Sequence, residues 1–94
     1  MQWYVYIIRA SDDSLYTGIT TDVERRFREH RGEGPGKDKR AKFFRGRDPV
    51  EVVHIEKHPD RSSALKREAA IKSLDREQKV ELVGAGQKPP RRPC

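Results

Sequence analysis

Two short apolar runs joined by a polar turn constrain this chain more than any other feature. Trp3-Tyr4-Val5-Tyr6-Ile7-Ile8 is near-continuous in aromatic and β-branched residues, the pattern of a strand covered on both faces and therefore central in its sheet. Leu15-Tyr16-Thr17-Gly18-Ile19 reads as a second strand, and Ser11-Asp12-Asp13-Ser14 between them is turn chemistry, so the pair forms a hairpin. Loop length decides what the hairpin presents. A three-residue loop, closing Ala10 against Ser14, opposes Tyr6 to Gly18 and Ile8 to Tyr16, with both tyrosines on one face. A two-residue loop slips the register by one and puts them on opposite faces. The three-residue loop is the expectation.

Thr21-Asp22-Val23-Glu24 has the form of a capping box, which predicts Thr21 as N-cap of a helix running to His30 or Arg31 and stopping at Gly32. Its inward stripe at helical spacing is Val23, Arg26, Phe27 and His30. Two apolar residues there are ordinary; an arginine and a histidine in the same stripe are not. Residues 32–40 form a glycine-rich basic loop without the Walker spacing of a nucleotide-binding loop. Residues 41–47 are expected to add a helical turn that places Phe43 and Phe44. After Asp48-Pro49 breaks the chain, residues 50–56 alternate as an edge strand does. A second helix starts at Pro59-Asp60-Arg61 and continues to Ser73, with Ala64, Leu65, Glu68, Ala69, Ile71 and Lys72 as its inner stripe. Residues 76–83 make a last short helix that offers Val80 and Val83 to the core. His54 and His58 read as surface residues. The predicted fold is α+β: a small three-stranded antiparallel sheet flanked by helices, in the order β-β-α-β-α-α.

Ninety-four residues, 33% hydrophobic and 38% charged, suffice for one domain with a thin core. That domain is expected at residues 1–83, followed by a disordered basic, proline-rich tail at 84–94. No apolar run is long enough for a signal peptide or membrane span, and the single cysteine, Cys94, allows no internal disulfide or cysteine-cluster zinc site. A cytoplasmic location follows as the expectation, with no membrane partner. The net charge of +6 is unevenly placed: residues 22–47 carry +5 and residues 84–94 carry +3. A basic stretch directly after the two strands is the footprint of a polyanion partner, DNA or RNA. Its candidate contacts are Arg25, Lys37, Lys39, Arg40, Lys42, Arg45 and Arg47, with Lys72 on the second helix.

Five polar residues stand where core packing does not explain them: Tyr6, Tyr16, Arg26, His30 and Glu68. In their order the sequence resembles the GIY-YIG nuclease domain, above all its small stand-alone members, over residues 3–83. Tyr4-Val5-Tyr6 stands where that family has Gly-Ile-Tyr, and Tyr16-Thr17-Gly18 where it has Tyr-Ile-Gly. Arg26, ten residues after Tyr16, matches the family's arginine, and His30 the His or Tyr four residues further on. Glu68, followed by Ile71-Lys72, matches the metal-binding glutamate. The chain departs from the pattern at Tyr4, which replaces a glycine, and in lacking an evident late asparagine. Taken singly, each residue has a plainer role: tyrosines as hairpin core, Arg26 snorkelling, His30 favoured by the helix dipole, Glu68 paired with Lys72.

The resemblance implies a metal-dependent endonuclease hydrolysing DNA phosphodiester bonds, by nicking, on structured or damaged substrates. It assigns Tyr6, Tyr16, Arg26 and His30 to catalysis and one Mg²⁺ or Mn²⁺ to Glu68. The chemistry is coherent on its own terms. A lone carboxylate suits a hard cation that keeps water and substrate phosphate in its shell, and arginine places a permanently charged fork against phosphate. Either tyrosine could relay the proton of the attacking water. The alternative is a nucleic-acid-binding module that keeps the site's shape with little or no catalysis. Targeting would come from a protein partner or a dimer.

Overall fold

The computed structural model describes residues 2–33, 42–44 and 46–87, with the backbone alone for 85–87. Two strands, β1 (Trp3–Ala10) and β2 (Leu15–Thr20), are followed by helix α1 (Val23–His30) and a 3-10 turn (Lys42–Phe44). Strand β3 (Pro49–His58) and helices α2 (Arg61–Lys72) and α3 (Arg76–Gln87) complete the order. The sheet is antiparallel, ordered β2-β1-β3, so the most apolar strand is the central one. This is the predicted α+β architecture.

The register is the one the three-residue loop dictates. Tyr6 opposes Gly18 and Ile8 opposes Tyr16. The Ala10 N–H donates to the Ser14 carbonyl and the Asp13 N–H to the Ala10 carbonyl, both at 2.9 Å. Asp13 takes the left-handed conformation (φ 68°), which a short polar side chain tolerates. The even residues of β1 therefore face α1 and the odd ones face α2 and α3. Tyr6, Ile8, Ala10 and Phe44 form the core of the first face, with Tyr16, Val23, Phe27 and Val52 against it. Val5, Ile7, Ala64 and Ile71 form the core of the second, joined by Trp3, Leu15, Leu82 and Val83.

Helix α1 starts one residue later than the capping-box pattern implies. Asp22 rather than Thr21 is the N-cap, its carboxylate accepting from the Arg25 N–H at 3.1 Å. Thr21 lost because an aspartate one residue on can cap the same turn and adds charge that suits the helix dipole. At the other end Gly32 sits at φ 80°. Its N–H reaches the Glu29 carbonyl and that of Glu33 reaches the Arg28 carbonyl, the paired bonds of a Schellman stop. Asp60 caps α2 through the Ser63 N–H (2.8 Å), and Asp75 and Gln78 cap α3 reciprocally.

The structure corrects the reading of the second face. On α2 the inward residues are Ala64 and Ile71, flanked by partly covered Arg67 and Glu68; Leu65, Ala69 and Lys72 face outward. On α3 the core takes Leu82 and Val83, while Val80 is half exposed. Helix α3 also continues to Gln87, past the predicted end at residue 83 and into the stretch assigned to a disordered tail. Residues 88–94 lie outside the described residues. No helix among the described residues is long and apolar enough to cross a membrane.

Candidate active site

The hairpin and α1 together build one polar cluster inside an aromatic wall. Tyr6 and His30 are both buried, at 1% and 0% exposure, and the Tyr6 hydroxyl lies 2.9 Å from His30 Nε2. Beside that hydroxyl stand the Arg26 guanidinium and the Tyr16 hydroxyl. His30 is fixed by rings on two sides: Phe44 at 4.8 Å between centroids and the edge of Tyr16 at 5.2 Å. Tyr16, half-buried, also packs on Phe43 and Phe44, each at 5.2 Å. The predicted helical turn thus exists and does what was expected of it, closing the cluster with Phe43 and Phe44.

Burial pushes the Tyr6 hydroxyl well above the ordinary phenol range of about 10, and a negative charge on Tyr16 would push it further; Arg26 pulls the other way and loses. Tyr6 is therefore a neutral phenol that shares a hydrogen bond with His30 Nε2. Burial also opposes the charge on Arg26. The Glu29 carboxylate, 2.8 Å from Arg26 Nη1, and the Tyr6 hydroxyl outweigh that cost and raise the arginine further. Glu29 was absent from the sequence assignments. Its signal was the Arg26–Glu29 spacing of three, which puts both on one side of a helix.

Gly18 has a role the motif comparison did not explain. A Cβ there would lie 2.6 Å from the Tyr6 hydroxyl oxygen and 2.8 Å from its Cζ, and 3.1 Å from Tyr16 Cε2. The Tyr6 ring crosses directly over position 18, so only glycine lets the two tyrosines meet. Register and residue choice act together here.

The structure brings Tyr6, Tyr16, Arg26 and His30 together. Glu68 lies on α2, the helix whose Ala64 and Ile71 pack on the opposite face, in an ion pair with Lys72 at 3.2 Å. Around α2, Arg67 and Glu68 flank the Ala64–Ile71 line on opposite sides. Arg67 reaches β3, where it holds Glu56. Of the predicted nucleic-acid contacts, Arg25 is exposed and sits 3.7 Å from Glu29. Lys42 is exposed, and Lys72 is engaged with Glu68. Arg47 lies over the Phe43 ring and pairs with Asp12 at 3.2 Å. Lys37, Lys39, Arg40 and Arg45 lie outside the described residues.

The other face holds a second polar cluster, and here the sequence reading fails. His54 is buried, not on the surface, and His58 is half-buried. Glu56 accepts from His54 Nε2 at 2.8 Å, His58 Nε2 at 3.3 Å, and Arg67 Nε and Nη2 at 2.9 and 3.0 Å. The cause is irregular pairing: β3 shifts register between the partners of Ile7 and Ile8, which turns His54 under α2 instead of out to solvent.

An aromatic cluster with an embedded arginine, on a β-β-α-β-α-α scaffold, agrees with the comparisons. The sequence matches the GIY-YIG catalytic domain over residues 2–81. The chain belongs to the GIY-YIG family. It is 57% identical over 84 residues to a UPF0213 protein of Haloquadratum walsbyi, covering 88% of each chain. It is 45% identical over 84 residues to the UPF0213 protein YhbQ of Escherichia coli, covering 89% of this chain and 79% of that one. The solution NMR structure of the UPF0213 protein BH0048 from Bacillus halodurans superposes with a TM-score of 0.59 at 39% identity. That match covers 95% of this chain and 89% of the other. These are small stand-alone GIY-YIG proteins, and the GIY-YIG domain is that of an endonuclease superfamily.

Proposed function

We propose that this GIY-YIG protein is a metal-dependent endonuclease that hydrolyses DNA phosphodiester bonds, cutting one strand at a time, on structured or damaged DNA. The observation that carries the reading is the buried Tyr6–His30 hydrogen bond with Arg26 and Tyr16 beside it. Core packing alone has no need of an arginine fork and an imidazole gathered on one phenol. Arg26, 23% exposed at its side chain, is the group that meets the phosphate. Tyr16 is the half-exposed tyrosine and so the one that reaches the attacking water. As Tyr16 takes the water's proton it passes its own to Tyr6, and Tyr6 passes its proton to His30 Nε2. No standing phenolate is required, which suits the raised pKa of Tyr6.

Glu68 fits Mg²⁺ or Mn²⁺ in donor type: it is a hard, partly accessible carboxylate with an ordinary i,i+4 lysine as competitor. When bound, the ion stabilises charge on phosphate oxygens and lowers the pKa of its water. Among the described residues no group of three or more His, Cys, Asp or Glu forms a metal cluster, so substrate phosphate and water would complete the shell. The Glu68–Lys72 pair, on the helix of the opposite face, is also the observation that favours the second reading, a binding module with little or no catalysis. Supercoiled plasmid and labelled single-stranded DNA incubated with Mg²⁺ or Mn²⁺, and in parallel with chelator, separate the two. Nicking with metal alone is expected. Cutting in chelator contradicts the metal requirement, and DNA binding at low salt without cutting gives the answer to the binding module.

A further inference from the structure

The sheet face that carries the tyrosine cluster does not end at Tyr6. Two residues earlier on β1, Tyr4 lies on the same face and is only half-buried. Its neighbours across the sheet are Thr20 on β2 and Lys57 on β3, and Lys57 is exposed. The partner of Tyr6 on β3 is Ile55, half exposed at 50%. The aromatic wall of Phe43 and Phe44 stands against Tyr16 and His30. Tyr4, Ile55 and Lys57 therefore form a partly apolar floor with one cation at its edge, next in register to the buried Tyr6.

We propose that this floor holds an unpaired nucleobase of the DNA strand being cut. The base stacks on the Tyr4 ring with Ile55 beside it, and Lys57 takes an adjoining phosphate. This rests on the nuclease reading and specifies its substrate: DNA in which at least one base beside the scissile phosphate is out of the duplex. A nucleic acid rather than a peptide is the occupant because the chain is strongly basic and the floor runs into an arginine-bearing site. An aromatic ring accepts any base, so the floor selects for strandedness and not for sequence.

The test is equilibrium binding without metal, by fluorescence anisotropy, with one labelled oligonucleotide presented single-stranded and as its duplex. Wild type is expected to bind the single strand more tightly. Tyr4→Leu should lose roughly five- to hundredfold on the single strand, the range of one base–aromatic stack, with the duplex unchanged. Tyr4→Phe should bind as wild type, and circular dichroism shows whether both variants are folded. Lys57→Gln should weaken both forms alike and reduce the salt slope by about one. The inference is overturned if folded Tyr4→Leu binds the single strand as wild type does, the result expected if a protein segment occupies the floor. It is equally overturned if both forms weaken to the same degree. The readout needs no cleavage, so a wild type that binds in this way but never cuts sinks the nuclease reading and leaves the floor standing.

Discussion

The two faces of the sheet carry polar clusters of opposite character. Under α2 and α3, Glu56 is surrounded by an arginine fork and two imidazoles, and every carboxylate lone pair has a donor. Burial alone would raise its pKa; Arg67, His54 and His58 override that and hold it at about 2. Such a site is closed, its charge already answered, and it serves to seat α2 on the edge strand. Under α1 burial wins. Tyr6 stays a protonated hydroxyl, hydrogen-bonded to His30, while Arg26 and Tyr16 keep partial exposure. That site joins the half-exposed Tyr16 to a buried imidazole through Tyr6, with an arginine beside them. The same residue types make a strut on one side and a reactive pocket on the other, and the difference is the group at the centre: a carboxylate held ionised by its donors, or a phenol held protonated by burial.

The sharpest break in that comparison is Arg26→Ala. Removing a charge-stabilising donor from the reacting phosphate should slow cleavage about a hundred- to thousandfold, ~3–4 kcal/mol of barrier, with little change in melting temperature. Gly18→Ala comes next. The added methyl must displace the Tyr6 ring, costing about 1–3 kcal/mol of stability and depressing cleavage as well, read by chemical denaturation beside the nicking assay. The smallest expected effect is on the closed face. Glu56→Gln should cost about 1–2 kcal/mol and leave cleavage unchanged. Its acid dependence has a definite sign. The folded-state pKa of Glu56 lies below its ordinary 4.5, so its contribution is complete above that value and is lost as pH falls toward about 2. Thermal melts across that window should show wild type losing an increment of stability that Glu56→Gln has already lost. Cleavage that falls with Glu56→Gln as far as with Arg26→Ala would erase the distinction between the faces.

The hairpin was legible because its signals are local. A turn of known length sets the register, the register sets the face, and the helical spacing of Arg26 and His30 brings them to that face. The second face was not legible for an equally physical reason. Helix α2 buries only Ala64 and Ile71, and the gap between them is closed by the Arg67–Glu56 pair, so counting apolar residues pointed to Leu65 and Ala69 instead. His54 was misplaced because strict alternation along β3 ignores its register shifts. Glu68 shows the limit of spacing arguments. Its place on α2 was read correctly and its ion pair with Lys72 was the plainer role foreseen, yet its relation to the tyrosines depends on how α2 crosses β2.

The most direct measurement is therefore nicking of supercoiled plasmid with Mg²⁺ or Mn²⁺ by wild type and Glu68→Ala side by side, with Glu56→Gln as the control from the closed face. Glu68→Ala should bind DNA as wild type does and not cut, while Glu56→Gln cuts normally. Cleavage retained by Glu68→Ala would contradict the assignment of the metal to this carboxylate and with it the account of the site.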